Sequence, residues 1–167
     1  MQFKDAYASL EKSKEFSAWK KKNKNCFAAH ALVMREGTKD SEWQIGFYNP
    51  KIDKEVVFSL LNPVKVSEEM DIFKKPGTKV EQLDIKKINI EFDKAVEIAE
   101  KVLADDYAPE KQNRTIIILQ NLEKKQLWNI TFITNSFNMI NIRIDADKGI
   151  VLKKNISSLY SLGKRVD

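Results

Sequence analysis

One stretch constrains this chain more than any other: WNITFITNSFNMINIRIDADKGIVL, from Trp128 to Leu152. Trp128, Ile130, Phe132 and Thr134 alternate with Asn129 and Thr131, and a period of two sends one set of side chains into a core and the other towards water. Asn135-Ser136 breaks the run. Phe137 and Met139 follow, then Ile140, Ile142 and Ile144, with Asn141, Arg143 and Asp145 opposite. The change of phase between Met139 and Ile140 predicts a bulge there. Asp145, Asp147 and Gly149 then supply turn chemistry: Asp side chains bond nearby backbone N–H groups, and glycine takes a positive φ without a Cβ penalty. Ile150, Val151 and Leu152 begin the returning strand. The stretch therefore predicts antiparallel strands with one buried face and one polar face. Asn129, Thr131, Asn141 and Arg143 form the candidate binding face.

An earlier segment looks like a worn copy. Trp43-x-Ile45-x-Phe47 reappears 85 residues later as Trp128-x-Ile130-x-Phe132. With a one-residue slip, Val56 and Phe58 stand against Ile142 and Ile144. A helix and then a strand precede each tryptophan. This predicts an α+β chain built from two helix-plus-antiparallel-sheet repeats, with the helices packed on one sheet face. The first repeat spans residues 1–75, a connector 76–92, and the second repeat with a C-terminal tail 93–167.

The remaining elements fit that plan. Phe3, Ala6, Tyr7 and Leu10 share one face of a helix over 3–22, broken once, and Phe16 and Trp19 continue its apolar stripe. Residues 26–35 read as a strand with Phe27, Ala29, Ala31 and Val33 on one side and Ala28, His30, Leu32 and Met34 on the other. Further strands follow Trp43 and run from Glu55 to Leu61. Asn62-Pro63 and Lys75-Pro76-Gly77 are breakers, and Val80 to Ile90 has an extended pattern. A second helix covers 93–106, with Asn89 and Asp93 as candidate N-caps. Residues 114–120 form a short β-branched run suited to a buried central strand. Asn121 to Gln126 reads as a hairpin loop. Ile156, Leu159, Tyr160 and Leu162 form an amphipathic tail suited to covering a sheet edge.

A tryptophan-led strand, a strand closing on Asp-Ala-x-x-Gly and a preceding amphipathic helix together resemble the PepSY domain family. The matching residues are Trp128, Ile142, Asp145, Ala146, Gly149 and Val151, with the helix starting at Asp93. The resemblance covers roughly residues 91–155; the first half lacks the Asp-Ala-x-x-Gly turn. It implies a small module, typically outside the cytoplasm, of a kind proposed to restrain peptidases.

Chemistry-bearing motifs are sparse. There is no Gly-rich phosphate loop, no His-Glu pair on one helix and no Gly-x-Ser-x-Gly elbow. His30 is the single histidine and Cys26 the single cysteine. Four residues along a strand separate them by roughly 13 Å, too far for a dyad, and His30 between apolar neighbours reads as a half-buried sheet residue. Asp145-x-Asp147-x-Gly149 shares its first acids with a calcium loop, but a strand follows where the remaining ligands would be needed. It reads as a hairpin turn, and no metal or cofactor is expected. Asp105-Asp106 closes the second helix, where negative charge is mildly unfavourable.

Net charge is +5, from 29 basic and 24 acidic residues, too mild an excess to argue nucleic-acid binding. Trp19, Lys20, Lys21, Lys22 and Lys24 form a candidate basic patch for an acidic partner; cations at a helix C-terminus are its plainer explanation. The charged N-terminus has no apolar signal region, and no run is long enough to span a bilayer. With the lone cysteine, that predicts a soluble cytoplasmic protein unless a leader has been removed. The expected function is a non-catalytic module that binds a protein or peptide. A basic-surface binder of nucleic acid or another acidic partner, through that patch and Lys153-Lys154, is the alternative, and a homodimer through a free sheet edge is a further partner expectation.

Overall fold

The computed structural model describes residues 1–72, 74 and 77–162, so the Lys75-Pro76 break and the last five residues of the tail lie outside the described residues. The N-terminal helix is two helices, α1 (Phe3–Lys12) and α2 (Lys14–Lys22). Ser13 makes the break: its N–H donates to Leu10 O at 2.9 Å, ending α1, and its Oγ accepts from the Phe16 N–H at 3.2 Å, capping α2. The later helices are α3 (Phe92–Asp106) and α4 (Leu159–Leu162). The strands are β1 (Phe27–Glu36), β2 (Lys39–Asp40), β3 (Gln44–Asn49), β4 (Lys54–Ser59), β5 (Lys65–Val66), β6 (Met70–Asp71), β7 (Gln112–Leu122), β8 (Lys125–Thr134), β9 (Asn138–Asp145) and β10 (Val151–Ser158).

The ten strands of the described residues join one sheet of order β10-β9-β8-β7-β1-β3-β4-β5, with β2 beside β1 and β6 beside β4, and every pairing is antiparallel. The meander β1-β3-β4 meets the meander β7-β8-β9 along β1 and β7, where Leu32 faces Ile118 and Met34 faces Ile116. Helices α1, α2 and α3 pack on one sheet face, as the α+β reading expects. Phe3 lies against Trp43, Phe16 against Phe47 and Phe58, and Phe92 against Trp43 and Trp128. Ile45, Phe58, Ile117, Leu119, Ile130, Phe132, Ile140, Ile142 and Ile144 complete this face and are fully buried.

Several local expectations are corrected. A register shift between Ala28 and His30 puts Ala28 opposite Phe47 in the core, while Phe27 stacks edge-on against Tyr48 on the far face. A bulge adds a residue to one strand and so inverts the alternation before it. The bulge expected at Met139/Ile140 is absent, and β9 pairs with β8 without a shift from Met139 to Asp145; the phase change arises because Phe137 belongs to the turn. Ile45 pairs with Phe58 as Ile130 pairs with Ile142, so Val56 and Phe58 occupy the places of Ile140 and Ile142, two residues from the expected match. The segment before α3 contains a short 3₁₀ turn, Ile85–Lys87. Ile156 lies within β10 rather than in a covering helix, and the Leu162 side chain is outside the described residues.

Neither Asn89 nor Asp93 caps α3; its N-cap is Glu91. That carboxylate faces the other helix start, accepting from the Phe3 N–H at 2.9 Å and the Lys4 N–H at 3.4 Å. In return Gln2 Oε1 accepts from the Asp93 N–H at 3.3 Å. The first turns of α1 and α3 thus satisfy each other's free donors, with negative charge where the helix dipoles favour it. The two tryptophans repeat one contact: Trp43 Nε1 donates to Met1 O at 3.1 Å and Trp128 Nε1 to Ile90 O at 2.8 Å, each carbonyl lying one residue before a helix N-cap.

The turns differ in strain. Gly149 has φ +71°, and its N–H donates to Asp145 O at 2.9 Å; a Cβ there would also crowd Ile90 and Ile98 at 3.2 and 3.4 Å. The β7–β8 hairpin is shorter than the expected loop, with only Glu123 and Lys124 between strands, both at positive φ. At the β8–β9 turn Phe137 has φ +58° although the residue is 56% exposed. A bulky side chain in this region costs roughly 1–2 kcal/mol, whereas asparagine tolerates it. Phe137→Asn is therefore expected to stabilise the chain by about 0.5–1 kcal/mol. Urea unfolding checks this, and an unchanged or lower midpoint would show that ring contacts outweigh the strain.

Candidate functional site

The face of the sheet opposite α1–α3 carries the unexplained surface. Alternation on β1 and β7 sends Leu32, Met34, Ile116 and Ile118 there, half-buried or, for Met34, 38% exposed. Ile133 and Met139 extend the apolar strip towards the β8–β9 turn. Cross-strand rows then change from apolar to polar across the sheet. One runs Leu32, Ile118, Asn129, Arg143, Lys153, and the next Met34, Ile116, Thr131, Asn141, Asn155.

The four residues of the candidate binding face are brought together here, all half-buried. Three bond one another: Asn141 Nδ2 donates to Asn129 Oδ1 at 2.6 Å and to Thr131 Oγ1 at 2.9 Å. Arg143 does not join them. Its Nε is buried without a hydrogen-bond partner, and Lys153 stands directly opposite on β10. Among the described residues no carboxylate lies within salt-bridge distance of either cation. Asp145, two residues along β9, spends Oδ1 on the Asp147 and Lys148 N–H groups at 2.9 and 3.0 Å. A buried unpaired donor costs about 1–3 kcal/mol, and like charges facing each other across strands add several tenths more. Folding gains nothing visible from either. The sequence places Lys153 in a basic surface and not on this face, because the β9–β10 register, shifted between Val151 and Lys153, decides what faces Arg143.

The basic run is not assembled into a stacking site. Trp19 packs edge-on against Phe47 and Phe58, inside the aromatic cluster. Lys20 donates to the carbonyls of Cys26 and Lys24 and closes the end of α2, while Lys21, Lys22 and Lys24 are exposed. Burial pushes the Cys26 thiol up, with Lys20 opposing and Glu69 adding to the rise. Asp106, one of the acids ending α3, pairs with Lys154 at 2.6 Å.

A groove of about 1210 Å³ opens between α1 and residues 82–86, floored by Ala28, Phe47 and Leu83 and rimmed by Lys20, Lys86, Glu11 and Asp84. Its rim charges nearly balance, which gives no preferred ligand charge. His30 lies on the open sheet face with Nε2 2.8 Å from Glu55 Oε2, a carboxylate only 9% exposed. The ring lies over Gly46, the residue opposite it on β3. Nearby, Tyr48 donates to Asp53 at 2.5 Å, and Lys74 followed by Tyr48 holds the Asp53 carboxyl below its ordinary value. Among the described residues no group of three or more His, Cys, Asp or Glu side chains could hold a metal ion. No helix there is long and apolar enough to cross a membrane.

The fold and this surface define a class: an α+β protein with its helices on one face of a single antiparallel sheet and the other face presented outward. No family model and no curated protein matches the chain. A crystal structure described as a "putative lipoprotein" from Clostridium difficile 630 is similar, with a TM-score of 0.53 and 17% identity over 86% of this chain and 90% of that one. At that identity the likeness is one of fold alone.

Proposed function

We propose that the chain is a non-catalytic binding module whose outward sheet face receives a protein or peptide partner. The observation that carries the reading is the contiguous apolar strip of Leu32, Met34, Ile116 and Ile118 on that face, continuing into an ordered polar ladder. Contiguous exposed apolar surface rimmed by polar groups is characteristic of interaction sites. Central apolar anchors inside a polar rim also match the anatomy of protein interfaces.

The resemblance to the PepSY family belongs to the same proposal, as does a tandem arrangement of two related units. Supporting the tandem arrangement are the matched Trp43–Met1 and Trp128–Ile90 contacts and the equivalent pairing of Ile45 with Phe58 and Ile130 with Ile142. The resemblance names one candidate partner, a thermolysin-type peptidase, for which inhibition by the purified chain is the direct assay. The cytoplasmic expectation rests on the N-terminal composition and the lone cysteine, whereas the family resemblance implies a setting outside the cytoplasm.

Peptides selected by display on the whole chain test the face itself. Ile118→Glu is expected to weaken the selected peptides at least about tenfold, while Lys101→Glu on the exposed side of α3 leaves them unchanged. Circular dichroism confirms that both variants fold. Peptides that ignore Ile118→Glu would overturn the reading. Sedimentation of the wild type separates a second copy on this face from a different partner.

A further inference from the structure

We infer that Arg143 and Lys153, beside the free edge of β10, form a carboxylate-recognition site for an extended acidic peptide that adds to the sheet as a further strand. This rests on the binding-module reading above and names the chemistry of its partner.

Three observations converge. Arg143 and Lys153 face each other on the outward side of the sheet with no carboxylate in reach among the described residues, and Arg143 Nε is buried without a partner. An incoming carboxylate would relieve the like-charge pair, and a guanidinium suits a carboxylate because its donors form a planar fork. Next, among the described residues β10 ends the strand order, so its outer N–H and C=O groups from Lys153 to Ser158 are open to a ladder. Strand addition takes its affinity from such main-chain bonds and its specificity from alternate side chains. Finally, Lys154 is already paired with Asp106 on the helix side, so Lys153 is the edge lysine left for a partner.

The geometry also sets the partner's pattern. A residue opposite Lys153 falls on the outward face two strands, roughly 10 Å, from Arg143, a gap that long arginine and glutamate side chains span between them, and its second neighbour falls opposite Asn155. The residue between them lies on the helix side, opposite Lys154 and diagonal to the exposed Ile156. An acidic residue, an apolar residue and a small polar residue in succession fit these three places. A peptide is favoured over nucleic acid because the open edge offers backbone pairing that a phosphate chain cannot use. The row inward from Arg143 also becomes apolar at Ile118 and Leu32 rather than more basic. The two lysines discourage self-pairing centred on themselves, since two copies would bring like charges together.

The test titrates the full chain, followed by amide NMR, with a short unstructured peptide of alternating glutamate and valine, and with its glutamine counterpart. Shifts are expected along 153–158 and at Arg143. The glutamate peptide should bind about tenfold more tightly at low salt, with the gap closing as screening shortens to a few ångströms near 1 M. Arg143→Gln or Lys153→Gln should each shrink the gap while the weaker, charge-independent binding persists. N-methylation of alternate peptide nitrogens should remove binding altogether.

Equal affinity for the two peptides would overturn the carboxylate site, and shifts confined to Leu32, Ile116 and Ile118 would overturn edge addition. In either case the binding-face reading stands; loss of the Ile118→Glu effect fails that reading separately. An absence of shifts with either peptide, tighter binding of a thymidine oligonucleotide at the same residues, or a dimer paired through β10 would each overturn the inference.

Discussion

Replacing Trp128 with alanine is expected to destabilise the chain by about 4–5 kcal/mol, the upper part of the range for a buried aromatic cut to a methyl. The side chain is fully buried, with Phe92 6.2 Å and Trp43 6.4 Å away between ring centroids. It therefore sits where α3 and the two meanders meet, and the backbone of three elements would have to move to close the cavity. The indole N–H also donates to Ile90 O, in the residue before the α3 cap. Losing that bond removes about 1 kcal/mol and loosens the entry to α3. At roughly 2–4 °C per kcal/mol for a chain of this size, the melting temperature should fall by about 10–20 °C. Urea unfolding followed by circular dichroism measures it. Trp128→Phe keeps most of the volume and should lose only about 1–2 kcal/mol. A loss below that for the alanine variant would mean that this junction is not where the core is held.

The second large effect is expected at Gly46. A Cβ built there would lie 2.2 Å from His30 Nε2 and within 2.8 Å of two further ring atoms. The imidazole must swing away, and Glu55 then keeps a nearly buried carboxylate without its 2.8 Å partner. Gly46→Ala is accordingly expected to cost about 2–3 kcal/mol, although alanine is otherwise better than glycine inside a strand by roughly 0.5–1 kcal/mol. The pair of variants discriminates. In a His30→Ala background there is no ring to displace, so adding Gly46→Ala should cost little or even stabilise. A coupling of about 2 kcal/mol in the double-mutant cycle would report the packing of ring on glycine. Additive losses would show instead that Gly46 is needed for its backbone alone.

The His30 contact shows where sequence reasoning runs out. Its apolar neighbours correctly suggested a half-buried place on a strand, yet Glu55 and Gly46 reach it only because β1 lies beside β3 and β3 beside β4. Cys26 and His30 were separable from strand geometry alone, since that distance is set locally. Ser13 and Glu91 mark the same divide. Ser13 caps the helix that follows it in sequence, and a break somewhere in 3–22 was legible, whereas Glu91 serves a helix 88 residues away.

What the amino-acid sequence determined by itself was everything governed by a local period. Alternation marked β8 and β9 and divided their residues between a buried and an outward face. The 3.6-residue spacing marked α1 and α3, and Asp145 with Gly149 marked the turn. The tertiary structure decided which strands became neighbours, and with that the joining of two meanders along β1 and β7, the inversion of Phe27 by a bulge, and the meeting of Arg143 with Lys153. The physical reason is that alternation tells a side chain which face to take but carries no information about its lateral neighbour. Pairing and register follow from how much apolar surface the whole sheet can bury under its helices, and a shift of one residue changes every cross-strand partner.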